Sequence, residues 1–123
     1  MATREEVERK HGIDLVTKVR NKANEGDFTA TKQLAEWDLP VSQFVLGEKY
    51  LHGEGIGKDE NEAFKWFMKA AAQGFADAYF AVGICYANGK GVERDTFVAI
   101  DWLKKAQAAG VPEAAQYIQR LMG

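Results

Sequence analysis

The sequence predicts an all-α protein, a short solenoid of about seven helices with two clear 36-residue repeats between degenerate caps. Three observations predict it. The chain matches itself at an offset of 36 residues. Each unit carries apolar residues at helical spacing, and no stretch reads convincingly as a strand. A glycine-rich break falls at the same phase in both units.

At that offset Phe44 pairs with Phe80, Gly47 with Gly83, Tyr50 with Tyr86, Asp59 with Asp95, Ala63 with Ala99 and Trp66 with Trp102. In all, 12 of the 36 positions of 41–76 are identical to 77–112, where average composition gives roughly two. Leu46 with Val82, Ile56 with Val92 and Phe67 with Leu103 are conservative pairs. Periods of this length belong to stacked supersecondary units, each burying its apolar face on the next.

From the N-terminus, Leu15, Val16, Val19 and Ala23 predict a helix, Gly26-Asp27 a turn, and Phe28, Ala30, Leu34 and Ala35 an antiparallel second helix. Residues 1–40 therefore read as a degenerate hairpin cap. In 41–76, Phe44, Gly47, Tyr50 and Leu51 predict a helix over about 41–51. HGEGIGKD breaks it, because glycine supplies the positive φ of a sharp reversal. Asp59 stands where an N-cap belongs, and Glu62 completes a capping-box pattern. A second helix over about 60–73 follows, with Ala63, Trp66, Phe67, Ala70 and Ala71 on one stripe. Gly74 takes the left-handed C′ position. The unit at 77–112 repeats each step with NGKGVERD, Asp95, Trp102 and Gly110, and Pro40 and Pro112 suit first helical turns. Residues 113–123 match the start of a third unit and read as a closing helix. The whole of 1–123 is then one repeat domain.

Gly47 and Gly83 fall inside predicted helices, where glycine costs about 1 kcal/mol relative to alanine. A cost incurred twice predicts a benefit gained twice, namely close approach of a neighbouring helix. Trp66 and Trp102 are then expected as the large side chains filling each hairpin.

Composition excludes several classes. A hydrophobic fraction of 46% with 28% charged residues is that of a folded chain. Sixteen Lys+Arg against 18 Asp+Glu leave a net charge of −2, so no strong field draws nucleic acid or an anionic membrane. One cysteine allows no internal disulfide, and MATREEVERKHG has no apolar h-region, which together point to a cytoplasmic, reducing compartment. No run is long enough to span a membrane.

Sharper chemical readings fail on their own terms. GEGIGKD lacks P-loop spacing, has Asp59 in place of the hydroxyl, and follows a helix rather than a strand. Cys85 needs a base or a positive surrounding to act as a nucleophile. His11 and His52 are remote from it in sequence, although its phase match with Lys49 predicts a partly accessible thiol. Three scattered N/S ligands do not make a metal site. Glu5, Glu6, Glu8, Arg9 and Lys10 read as a solvated, ion-paired helix face. No catalytic residue, cofactor or metal enters the reading.

The residues Leu46, Gly47, Tyr50, Gly53, Gly55, Ile56, Asp59, Ala63, Trp66, Lys69, Ala70, Ala71 and Gly74 follow one pattern. Ala78, Val82, Gly83, Tyr86, Gly89, Gly91, Val92, Asp95, Ala99, Trp102, Lys105, Ala106 and Gly110 follow it again. This pattern resembles the Sel-one-like repeat (SLR) family, relatives of tetratricopeptide repeats, with Ser42 and Gln107 departing from it. The resemblance implies a right-handed α/α superhelix used as a protein-binding scaffold. Some secreted relatives staple each hairpin with cysteine pairs, which this chain lacks.

In tetratricopeptide-like stacks the first helix of each hairpin lines the concave face. Carried over by phase, that face takes Val41, Phe44, Glu48, Leu51 and His52 from the first unit. It takes Asp77, Phe80, Ile84, Ala87 and Asn88 from the second, with Gln116 and Arg120 from the closing helix. An exposed apolar face of this kind marks an interaction site. The competing reading is that Phe44 and Phe80 pack between repeats.

The expected function is a non-enzymatic module, an adaptor or scaffold gripping a protein or peptide in the concave groove. A narrower form is a cytosolic bacterial immunity protein that neutralises a toxin by binding it. The alternatives are an enzyme using Cys85 or scattered carboxylates, and a monomer that pairs weakly end to end through Tyr117, Leu121 and Met122.

Overall fold

A computed structural model describes residues 13–24 and 27–123, with backbone alone for 13–18. Glu5, Glu6, Glu8, Arg9, Lys10, His11 and Gly26, and the side chains of Leu15 and Val16, lie outside the described residues. Among those described, seven helices and no strand follow one another. They are α1 (Ile13–Asn24), α2 (Phe28–Glu36), α3 (Pro40–His52), α4 (Glu60–Ala72), α5 (Ala76–Asn88), α6 (Thr96–Ala108) and α7 (Glu113–Met122). Each helix packs chiefly on its neighbours in sequence, most extensively in the pairs α3–α4 and α5–α6. The result is a short stack of helical hairpins, an α/α solenoid.

The same local chemistry starts the second helix of each hairpin. Asp27, Asp59 and Asp95 adopt extended backbone, and each carboxylate accepts an N–H three residues on, from Ala30, Glu62 and Val98, at 3.1 Å. This satisfies one of the orphan donors of the first turn. The expected reciprocal half of the capping box does not form. The Asp59 N–H donates instead to the Tyr50 carbonyl at 2.9 Å, and the Glu62 carboxylate pairs with Lys65 at 3.4 Å. Asp95 N–H makes the matching bond to the Tyr86 carbonyl at 2.9 Å, so both long loops are closed by one device. Gly53 and Gly89 end α3 and α5 at φ of 71° and 67°, as the sequence predicts.

Close approach inside the hairpins also holds, with a different partner from the one expected. A Cβ on Gly47 would stand 2.6 Å from Cε1 of Phe67, and one on Gly83 would stand 2.8 Å from Cγ of Leu103. Phe67 and Leu103 are the fully buried side chains that fill the two hairpins. Trp66 is buried beside them with Lys69 over its ring, whereas Trp102 is only partly buried against Tyr79, with ring centroids 6.1 Å apart. The side chain next in sequence to each tryptophan therefore fills the interior.

Gln43 is a polar residue that the repeat pattern did not single out. It is fully buried at 0% exposure. Its amide nitrogen donates to the Ala35 carbonyl at 3.3 Å and to the Asp38 carboxylate at 3.0 Å. Its amide oxygen accepts from the Gln73 side chain at 2.9 Å. The N-terminal hairpin, α3 and the end of α4 are tied together through this one side chain.

Candidate protein-binding groove

Stacking α3–α4 on α5–α6 leaves the first helices of the two hairpins side by side, with a cavity of about 460 Å³ between them. Phe44, Glu48, Leu51 and His52 of α3 line one wall, at intervals that keep them on one helical face. Asp77, Phe80, Ala81 and Ile84 of α5 line the other, and Val111 and Glu113 close the end towards α7.

Seven of the twelve side chains predicted for the concave face thus meet around one cavity: Phe44, Glu48, Leu51, His52, Asp77, Phe80 and Ile84. The other five do not line it. Asn88 and Gln116 are exposed elsewhere, and exposed Arg120 lies over the Tyr117 ring. Ala87 is buried rather than facing the groove, and exposed Val41 borders a separate concavity against α1 and α2. Phe67, Ala81, Val111 and Glu113 complete the lining.

The two readings of the aromatics prove compatible. Phe44 packs against Phe67 and Phe75, with centroids 5.7 and 5.4 Å apart, and Phe80 meets Tyr117 edge-on at 5.9 Å. Both rings remain half-buried and present their free sides to the cavity. Burial raises the pKa of Glu48 above the usual carboxylate value. His52 opposes that shift, while Glu54 and Asp77 add to it through like charge.

Cys85 does not reach the groove surface. At 1% exposure it belongs to the core, contrary to the partial access expected from its phase match with Lys49. The position is half-buried at Lys49 and covered at Cys85, which shares a core cluster with Ala63, Trp66 and Phe67 of α4. Burial pushes its thiol up to about 11, with the Glu60 charge adding to the shift and Lys90 opposing it. Such a thiol is a poor nucleophile. Among the described residues no group of three or more His, Cys, Asp and Glu is placed to hold a metal ion. None of the described helices is long and apolar enough to cross a membrane.

Helical hairpins repeated in register around an apolar concave groove define the class of α/α repeat scaffolds. Within it the chain belongs to the Sel1 repeat family, whose model matches residues 40–75 and 76–111. Sel1 repeat proteins typically mediate protein–protein interactions. The fold is similar to a Sel1 repeat protein from Oxalobacter formigenes, with TM-score 0.74 and 38% identity over 77% of this chain and 28% of that one. It is also similar to c5321, a protective antigen of uropathogenic Escherichia coli strains displaying an SLR fold. There the TM-score is 0.71, with 38% identity over 74% of this chain and 20% of that one. The chain therefore spans less than a third of either protein. Cysteine rich protein B of Helicobacter pylori shares the fold at TM-score 0.69 and 23% identity, over 76% of this chain and 71% of that one. No curated protein matches the chain.

Proposed function

We propose that the chain is a non-enzymatic interaction module that holds a segment of a protein partner in the groove between α3 and α5. The observation that carries this reading is the cavity itself, in which Phe44, Leu51, Phe80 and Ile84 keep apolar surface open to solvent. Burying such surface contributes about 25 cal/mol per Å² before the cost of association. Burial and a raised pKa make Cys85 a poor nucleophile, which favours a binding role over catalysis. A single free cysteine suits a reducing, cytoplasmic setting.

The test is capture of a partner from source lysate, followed by titration of that partner, once purified, against three chains. These are the wild type, Phe44→Ala/Ile84→Ala, and Phe97→Ala. Phe97 is 84% exposed and lies away from the groove. Loss of binding in the double variant alone, with its helical circular dichroism intact, supports the groove. Unchanged binding in a folded double variant rejects it.

A further inference from the structure

The groove has a charge character as well as an apolar floor. Glu48 and Asp77 face each other across it from α3 and α5, Glu113 stands at its end, and no lysine or arginine is among its lining residues. Five lysines elsewhere are engaged: Lys58 and Lys90 pair with Glu60, Lys65 pairs with Glu62, and Lys69 and Lys105 lie over aromatic rings. His52 is the one basic side chain at the rim. Among the described lining residues the walls therefore present three carboxylates against His52 alone, directly beside Phe44, Leu51, Phe80 and Ile84.

We infer that the groove selects a protein segment in which a bulky apolar side chain is flanked by lysine or arginine. The apolar side chain enters between Phe44, Phe80 and Ile84, and the flanking cations reach Glu48 and Asp77. An acidic segment meets like charge on both walls, which disfavours it as much as the cationic one is favoured. This rests on the groove reading above and adds to it the chemistry of the occupant. Glu48 gives it an internal reporter. A cation seated between Glu48 and Asp77 offsets the desolvation and like charge that now raise the carboxyl, so its titration moves down on binding.

The test uses three synthetic peptides with the same apolar core, flanked by lysine, glutamine or glutamate, titrated into the isotope-labelled chain while α3 and α5 amide shifts are followed. The expected result is movement of the Phe44, Phe80 and Ile84 amides with the lysine peptide. Its affinity should be on the order of tenfold above the glutamate peptide, as two partly exposed ion pairs provide. High salt and the variant Glu48→Gln/Asp77→Asn should both erase that preference, since both carboxylates lie near solvent. Equal groove shifts with all three peptides, or preference for the neutral or acidic one, overturn the charge selection and leave the groove reading standing. Absence of groove shifts with any peptide on a folded chain overturns both.

Discussion

Gly47 is seated against the ring of Phe67: a Cβ there would lie 2.6 Å from Cε1 and 3.2 Å from the Ala63 carbonyl oxygen. Phe67 is 1% exposed and its ring packs against Phe44, with centroids 5.7 Å apart. Gly47→Ala should therefore lose about 1–3 kcal/mol to overpacking and regain about 1 kcal/mol in helix propensity. The expected net loss is about 1 kcal/mol, read as a lower urea midpoint. In a Phe67→Ala background, itself weakened by about 3–5 kcal/mol, the same Gly47→Ala change should be neutral or stabilising. Simple additivity of the two changes would show that the glycine is not retained for the approach of α4.

A second comparison separates backbone strain from stacking. Gly55 and Gly91 hold equivalent loop positions with φ of 75° and 72°. Nothing lies near a Cβ on Gly55, whereas one on Gly91 would run into the Glu60 carbonyl of the preceding hairpin. Gly55→Ala should cost only the left-handed backbone term, about 1–2 kcal/mol. Gly91→Ala should cost clearly more, and hydrogen exchange should show the loss concentrated where α4 meets the 89–92 loop. Equal costs would mean that this loop does not join the two repeats.

These glycines explain why so much of the fold was legible in the sequence. Gly53 and Gly89, with Asp59 and Asp95, answer a local backbone requirement, and Gly47 and Gly83 answer the same close contact inside each hairpin, so the requirement repeats and the residue repeats with it. The groove walls were legible for the same reason, since Phe44 and Phe80, with Glu48 and Ile84, occupy equivalent turns of equivalent helices. Legibility ended where a neighbouring element decides. Phe67, seated against Gly47 of the facing helix, fills the hairpin rather than Trp66. Cys85 is buried although its counterpart Lys49 is not. Asn88, Gln116 and Arg120 follow the phase of the first helices but lie beyond the end of the cavity.

Gln43 occupies a position filled by Tyr79 in the next repeat, and its partners sit on three segments. Gln43→Leu has comparable bulk but loses the bonds to the Ala35 carbonyl, the Asp38 carboxylate and the Gln73 amide. Each lost bond of this kind is worth about 0.5–1.5 kcal/mol net, because the Ala35 carbonyl keeps the Asp38 N–H and Gln73 is open to solvent. The expected signature is a lower melting temperature together with faster amide exchange in α2. Unchanged exchange in α2 would show that the N-terminal hairpin is held by its apolar contacts alone.

Cys85 provides a probe of opening. Raising a thiol from 9.0 to about 11 lowers its thiolate fraction at pH 8 about a hundredfold. Burial slows reaction further, so the folded chain should react with a thiol reagent at least about a hundredfold more slowly than the urea-unfolded chain. The linkage sign follows directly. Below pH 9 the thiol is neutral in both states, whereas between 9 and about 11 only the unfolded state loses the proton. Stability should therefore fall as pH rises through that interval, and Cys85→Ala should remove this part of the fall. Rapid labelling at neutral pH without urea would contradict the burial.

Glu48 makes the opposite kind of prediction, because an acid raised by the fold holds its proton more tightly when folded. Below 4.5 the carboxyl is protonated in both states, so it has no differential effect there. As pH rises above 4.5 the unfolded chain releases the proton first, and Glu48 begins to oppose folding until it ionises in the folded state as well. From there to neutral pH the penalty is constant. Burial among Phe44, Phe80 and Ile84 is the main cause, Glu54 and Asp77 add like charge, and His52 offsets part of it. Glu113 is the remaining carboxylate in the lining. Glu48→Gln should therefore raise the urea midpoint at pH 7 and leave it unchanged at low pH. A carbon-detected titration should place the Glu48 carboxyl above 4.5, whereas a value at or below it, or a destabilised glutamine variant, would refute the desolvated wall. A groove that keeps a carboxylate in so unfavourable a position is poised to gain from a cation brought by its occupant.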